Sequence, residues 1–222
     1  MVFEPKLIEV SVPARPEGAV LVLHGGASRG ERMMVSPTQL SVLRMVPIAR
    51  RIARAGGDRL AVYRLLNSRR GWDAHHTPVR DAQWALDRIA DRLGALPVCL
   101  VGHSLGGRAA LLAAARARGV VALAPWVYPT DVAPDLNGQR ILFVHGADDR
   151  IASPGRSATL ARALGERVQT AYVRVAGGKH GMLRRHALFD GLAADFALAT
   201  LLGIHRSEAI GRIEAGECWL AL

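Results

Sequence analysis

The sequence predicts an α/β fold, a mainly parallel central sheet flanked by helices on both faces and without a lid domain. Three observations carry that prediction. Short apolar runs recur along the 222 residues with helical patterns between them, the order that parallel strands and crossover helices require. One run, Val98–Val101, leads through Gly102-His103-Ser104-Leu105-Gly106-Gly107 into an alanine-rich stretch from Arg108 to Arg118, which reads as strand, sharp turn and helix. Only Pro125–Gln139 separates the run ending at Ala124 from the one beginning at Arg140, too short for an inserted lid.

In chain order, Leu7–Val12 reads as an outer strand and Ala19–Leu23 as the first central one. Arg59–Tyr63, Val98–Val101, Val120–Ala124, Arg140–Val144 and Val168–Val175 follow, each apolar or alternating. A helix is expected through Ile48–Ala55, with Pro47 kinking or breaking the segment that starts at Pro37. Thr77 is expected to cap a helix that opens with Pro78 and runs to about Leu93, with Ala82, Ala85, Leu86, Ile89 and Leu93 on one face. Ser157–Leu164 and His186–Leu202 complete the helices, and in the tail Ile210–Leu222 the side chains of Trp219, Leu220 and Leu222 are expected to dock on the body.

A chain of this length with 50% hydrophobic residues is most economically one domain, residues 1–222, around one substantial core. No window of about 18 uninterrupted apolar residues exists, and Met1–Lys6 lacks the basic start and apolar run of a secretion signal, so a cytoplasmic protein without integral membrane association is expected. Cys99 sits inside a central strand and Cys218 near the C-terminal end, so no disulfide is expected. The net charge of +10 could attract nucleic acid, but residues 1–100 hold 15 basic and 9 acidic side chains and residues 101–222 hold 14 and 10. So even a spread, with no aromatic interleaving in pairs such as Arg69-Arg70, argues against nucleic-acid binding.

The chemistry starts at Ser104. A serine at the apex of so tight a turn is exposed and strained, and Gly102 and Gly106 let strand and helix come close beneath it. The Leu105 amide stands at the first turn of the following helix, where free N–H groups and the positive end of the helix dipole can stabilise an oxyanion. A hydroxyl nucleophile needs a base, and the base needs an acid that fixes its tautomer. Four motifs supply these parts in order: His24-Gly25-Gly26, Gly102-His103-Ser104-Leu105-Gly106, His145-Gly146-Ala147-Asp148-Asp149 and Gly178-Lys179-His180.

In these motifs the chain resembles the α/β-hydrolase superfamily, and within it the small capless esterases of the dienelactone-hydrolase type. Serine stands where dienelactone hydrolases carry cysteine, which argues against lactone-specific activity. The resemblance implies an α/β-hydrolase fold and hydrolysis of a carboxylic ester or thioester. It also implies an order in which acid and base follow the nucleophile, each in a loop after a later strand. His180, in the glycine-rich loop after Val168–Val175, fits the base. His145 reads as part of a turn, and His186 and His205 as solvated helix surface. Asp149 is the expected acid, with Asp148 as the turn-capping alternative. The second oxyanion amide is expected at Gly26, with Ala27 as alternative.

Trp72, Trp126, Tyr128 and Met182 are the expected substrate-pocket side chains, Met182 packing under the base and Trp126 equally readable as core. Asp73, His75 and His76 lack a partner cluster and read as a polar loop rim, not a metal site. The expected reaction needs no metal or organic cofactor, and its partner is a small-molecule ester or thioester. The competing expectation is a ligand- or partner-binding protein that keeps the hydrolase fold without turnover.

Overall fold

Successive residues of each central strand face opposite layers of helices, and that alternation organises the molecule. The computed structural model describes residues 4–26, 34–133 and 135–222. Its strands are β1 (Lys6–Ser11), β2 (Gly18–Leu23), β3 (Leu60–Leu66), β4 (Val98–His103), β5 (Gly119–Leu123), β6 (Arg140–Gly146), β7 (Gln169–Val175) and β8 (Trp219–Ala221). They form one sheet in the order β1-β3-β2-β4-β5-β6-β7-β8, in which β1 pairs antiparallel with β3 and all other neighbours are parallel.

The helices are α1 (Leu40–Leu43), α2 (Met45–Gly56), α3 (Thr77–Leu93), α4 (Leu105–Leu112), α5 (Pro154–Gly165), α6 (His186–Leu202) and α7 (Glu208–Glu214). Val20 and Val22 of β2, with Cys99 and Val101 of β4, pack against α2, α6 and α7. Ala19, Leu21 and Leu23, with Val98 and Leu100, pack against α3, α4 and α5. The expected strands and helices are all present, and among the described residues no inserted lid lies between β5 and β6.

Three local expectations need correction. The break before α2 falls at Arg44, and Pro47 sits in the first turn of α2, where its missing N–H has no intrahelical partner to lose. The helix α3 begins at Thr77 itself. His76 occupies the cap position in a left-handed conformation, and the Asp73 carboxylate accepts from the Thr77 amide at 2.8 Å and its hydroxyl at 2.5 Å. The alanine-rich stretch is helical only to Leu112, then tightens into a 3-10 turn over Ala114–Arg116. In the tail, α7 and β8 are both regular elements, and β8 extends the sheet beside β7.

Candidate active site

β4 delivers Ser104 to the C-terminal edge of the sheet, where the chain must turn at once into α4. Ser104 has φ 55° and ψ −119°, a conformation that costs a side-chain-bearing residue about 1–3 kcal/mol. Its backbone is held on three sides. The amide donates to Leu123 O at 3.0 Å, and the carbonyl accepts from Arg108 N and Trp126 N, both at 3.1 Å. A Cβ on Gly102 would strike the Gly106 carbonyl, and one on Gly106 would strike the carbonyls of Leu23 and His24. The glycines expected to make room at the elbow are therefore required by close backbone approach.

Ser104, His180 and Asp149 come together across 76 residues of chain. His180 Nε2 lies 3.0 Å from Ser104 Oγ, and His180 Nδ1 lies 2.8 Å from Asp149 Oδ2. An ionised carboxylate only accepts, so the proton of neutral His180 sits on Nδ1 and Nε2 is left to accept from the serine. The loops that carry Asp149 and His180 are tied together, Ala147 N to Val175 O at 2.8 Å and Asp148 N to Gly178 O at 2.9 Å. Asp148 contributes that amide while its side chain is exposed, so of the two adjacent carboxylates it is Asp149 that meets the imidazole. Burial alone would raise the Asp149 pKa. Hydrogen bonds from His145 and His180 and from the amides of Ile151 and Ala152 outweigh it and hold the carboxyl far below the usual range.

Two further histidines, His145 and His103, brace this arrangement from inside, and a third, His24, holds the loop after β2. His145 is a fully buried residue of β6, not part of a turn. Its Nε2 faces Asp149 Oδ2 at 3.1 Å and Ala152 O at 3.3 Å, both acceptors, so Nε2 carries the proton and Nδ1 accepts from Ser157 Oγ at 2.7 Å. His103 donates from Nε2 to the His180 carbonyl at 2.9 Å, and the two rings lie 4.9 Å apart. Burial, then the neighbouring His180, pushes the His103 pKa down to about 3. His24 donates from Nδ1 to Gly25 O at 2.5 Å and accepts from Asn67 N at 3.1 Å, and burial pushes its pKa down to about 4. In the order that the sequence implies, with the base after the nucleophile, His24 and His103 come too early to be the base, and His145 reads as part of a turn. Their structural roles had one signal, their position beside a glycine or the nucleophile in three of the four motifs.

Leu105 is the first residue of α4, so its N–H has no carbonyl one turn back within the helix. Gly26 lies beside it: a Cβ there would meet Arg70 O and come within 3.3 Å of Leu105 Cδ1. Ala27 lies outside the described residues.

Before Ser104 opens a cleft of about 960 Å³, within the range of small-molecule sites. Trp126 lines it. The other three pocket expectations are corrected. Trp72 and Tyr128 pack on the Arg108 guanidinium, at 4.2 and 5.0 Å from its carbon, because that buried cation needs cover as well as its bidentate pairing with Asp131. Met182 points into the core between the sheet and α6, and does not reach the cleft. The walls instead come from Leu40, Leu43 and Pro47 around the α1–α2 junction, and from Ile151 and Leu183 in loops far away in sequence. His186 also lines the cleft as an exposed residue, and His205 is exposed between α6 and α7. Among the described residues no group of three or more His, Cys, Asp and Glu is placed to hold a metal ion, and no helix is long and apolar enough to cross a membrane.

Similar folds are known. The α/β serine hydrolase without lid XC6422, from Xanthomonas campestris, matches with a TM-score of 0.65 at 18% identity, over 91% of this chain and 89% of that one. Est1E from Butyrivibrio proteoclasticus matches with 0.61 at 14% identity, over 88% and 93%. Carboxyl esterase 2 from the mycorrhizal fungus Tuber melanosporum matches with 0.63 at 14%, over 90% and 88%. At such identities these likenesses speak for the fold alone. No curated protein matches the chain in sequence. The model of the alpha/beta hydrolase family matches residues 20–210, from the first parallel strand to α7. Sheet order, lidless β5–β6 connection and family match agree, and the chain belongs to the α/β-hydrolase family.

Proposed function

We propose that the protein hydrolyses carboxylic esters through an acyl-enzyme on Ser104. The observation that carries this reading is the unbroken chain from Ser104 Oγ to His180 Nε2 at 3.0 Å and from His180 Nδ1 to Asp149 Oδ2 at 2.8 Å, at the floor of an open cleft. As Oγ attacks the carbonyl carbon, its proton passes to His180 Nε2, and Asp149 steadies the imidazolium. The charge that builds on the carbonyl oxygen is met by the amides of Leu105 and Gly26. The imidazolium returns its proton to the departing alcohol as the C–O bond breaks. Water then attacks the acyl-enzyme, giving a proton to His180, and the released Ser104 recovers it. A thioester follows the same steps with a thiol leaving. No metal or cofactor enters.

A fluorophosphonate tests the reading directly. Intact mass and peptide mapping should show one adduct on Ser104, with turnover of p-nitrophenyl acetate alongside. Ser104→Ala should lose the adduct and lower kcat on the order of 10⁴- to 10⁶-fold with the fold intact. Failure of the well-folded protein to react would replace catalysis with ligand binding on the same scaffold.

A further inference from the structure

Resting on the esterase reading, we infer that the substrate of this site carries an uncharged apolar chain of medium length, about six to ten carbons, laid along the cleft in front of Ser104. Single apolar side chains on a surface are ordinary, but their clustering is not. Among the described residues nine large hydrophobic side chains stand exposed, and four of them, Leu40, Leu43, Ile151 and Leu183, line this one cleft. Leu40 is 84% exposed, Leu183 73% and Ile151 69%. They come from α1 and from the loops after β6 and β7, so three separate segments converge to present apolar surface at the nucleophile.

The charged groups of the cleft point the same way. Arg44 donates from Nη2 to Asp190 Oδ1 at 2.8 Å and from Nε to Gly181 O at 3.0 Å. Both side chains of this pair are nearly buried, so the cation is already matched and offers an anionic substrate no uncompensated charge. The same contacts pin the α1–α2 junction to the loop that carries Leu183 and to α6, which fixes the walls relative to each other. An acetyl group would leave most of a 960 Å³ cleft to water. A longer chain removes its own surface and that of the leucines from water together.

Full burial of each methylene is worth about fourfold in binding. In an open cleft about half of that is expected, roughly twofold per methylene. The test is a p-nitrophenyl ester series from acetate to decanoate, beside acetates of alkyl alcohols of the same lengths. The second series distinguishes a chain on the acyl side from one on the alcohol side, and a gain in either supports the inference. From acetate to octanoate, six methylenes longer, kcat/KM should rise about sixtyfold. The anionic half ester of adipic acid should fall at least tenfold below hexanoate. Leu183→Ser and Ile151→Ser should each flatten the dependence on chain length.

Flat series, with the acetates turned over at Ser104 as well as any longer chain, would overturn the inference and leave the esterase reading standing. Calorimetry on Ser104→Ala with methyl octanoate and methyl acetate separates the opposite failure. Tight binding of octanoate alone, without turnover by the wild type, supports the cleft's preference and overturns the esterase reading. Absence of octanoate binding together with flat series overturns the preference.

Discussion

His145 Nε2 lies 3.1 Å from Asp149 Oδ2, the same oxygen that His180 Nδ1 reaches at 2.8 Å. One carboxylate oxygen thus serves two imidazoles, while Oδ1 takes the amides of Ile151 and Ala152. His145 is in turn oriented by Ser157, and neither residue is exposed.

Replacing His145 therefore acts on Asp149 through a missing donor. His145→Ala is expected to lower kcat/KM about 10- to 100-fold, the scale of a lost hydrogen bond to a charged group. With one donor fewer, Oδ2 holds the imidazolium proton more strongly, so the acid limb of the pH profile should move to higher pH. His145→Gln, whose amide nitrogen can stand near the position of Nε2, should recover most of both effects. A pH–rate profile of the two variants that shows no displacement of the limb would mean that His145 serves stability alone.

Gly26→Ala should lower kcat about 10²- to 10³-fold with a smaller change in KM, because the new Cβ meets the Arg70 carbonyl and the loop must move away from Leu105. Steady-state kinetics with unchanged far-ultraviolet circular dichroism would check it. Retained kcat would remove the Gly26 amide from the mechanism.

Acid should destabilise the fold through its buried histidines. His24 and His103 are held neutral, their pKa values pushed down from 6.5 to about 4 and about 3, chiefly by burial. Between pH 6.5 and these values the unfolded chain binds the extra protons, so the stability they support is complete above pH 6.5 and is lost as pH falls towards the folded values. Urea unfolding should lose about 2 kcal/mol per histidine between pH 7.5 and pH 5. His24→Asn should have a shallower pH dependence. Equal stability at the two pH values would mean that these side chains are hydrated in the folded protein.

Asp131→Ala should cost about 3–5 kcal/mol by leaving the Arg108 guanidinium buried without its partner. The paired replacement Arg108→Met with Asp131→Leu should cost much less, since the charge leaves with its counterion. Denaturant midpoints of the single and double variants decide it. Equal losses would locate the stability in the stacking of Trp72 and Tyr128 instead.

The parts that sequence made legible are local in the chain. Gly102–Gly107 carries its own strand–turn–helix context, and the loops of Asp149 and His180 each follow a recognisable strand. The cleft walls were not legible because they depend on distant partners: Arg44 reaches Gly181 and Asp190 across well over a hundred residues. Trp72 and Tyr128 read as pocket residues because they are aromatics in loops near the site. What draws them elsewhere is Arg108, a cation inside an alanine-rich helix whose burial no local pattern reveals. Leu183 and Ile151 did leave a signal, each an aliphatic residue next to an arginine in a loop. The glycine after His145 reads as opening a turn, and here it closes a strand.

The three residues of β8 also protect the molecule from its neighbours. They pair Trp219, Leu220 and Ala221 with Tyr172, Val173 and Arg174, and flanking bonds run from Tyr172 N to Cys218 O and from Leu222 N to Arg174 O. Trp219 stacks on the Tyr172 ring at 4.9 Å and meets the Arg162 guanidinium at 4.6 Å, two contacts that fasten the strand. Stripped of β8, the rim of β7 would offer a row of unpaired amides and carbonyls to any passing chain. A proteolytic cut behind α7 is thus expected to bare the β7 edge to strand addition, an outcome that light scattering of the cut protein would report.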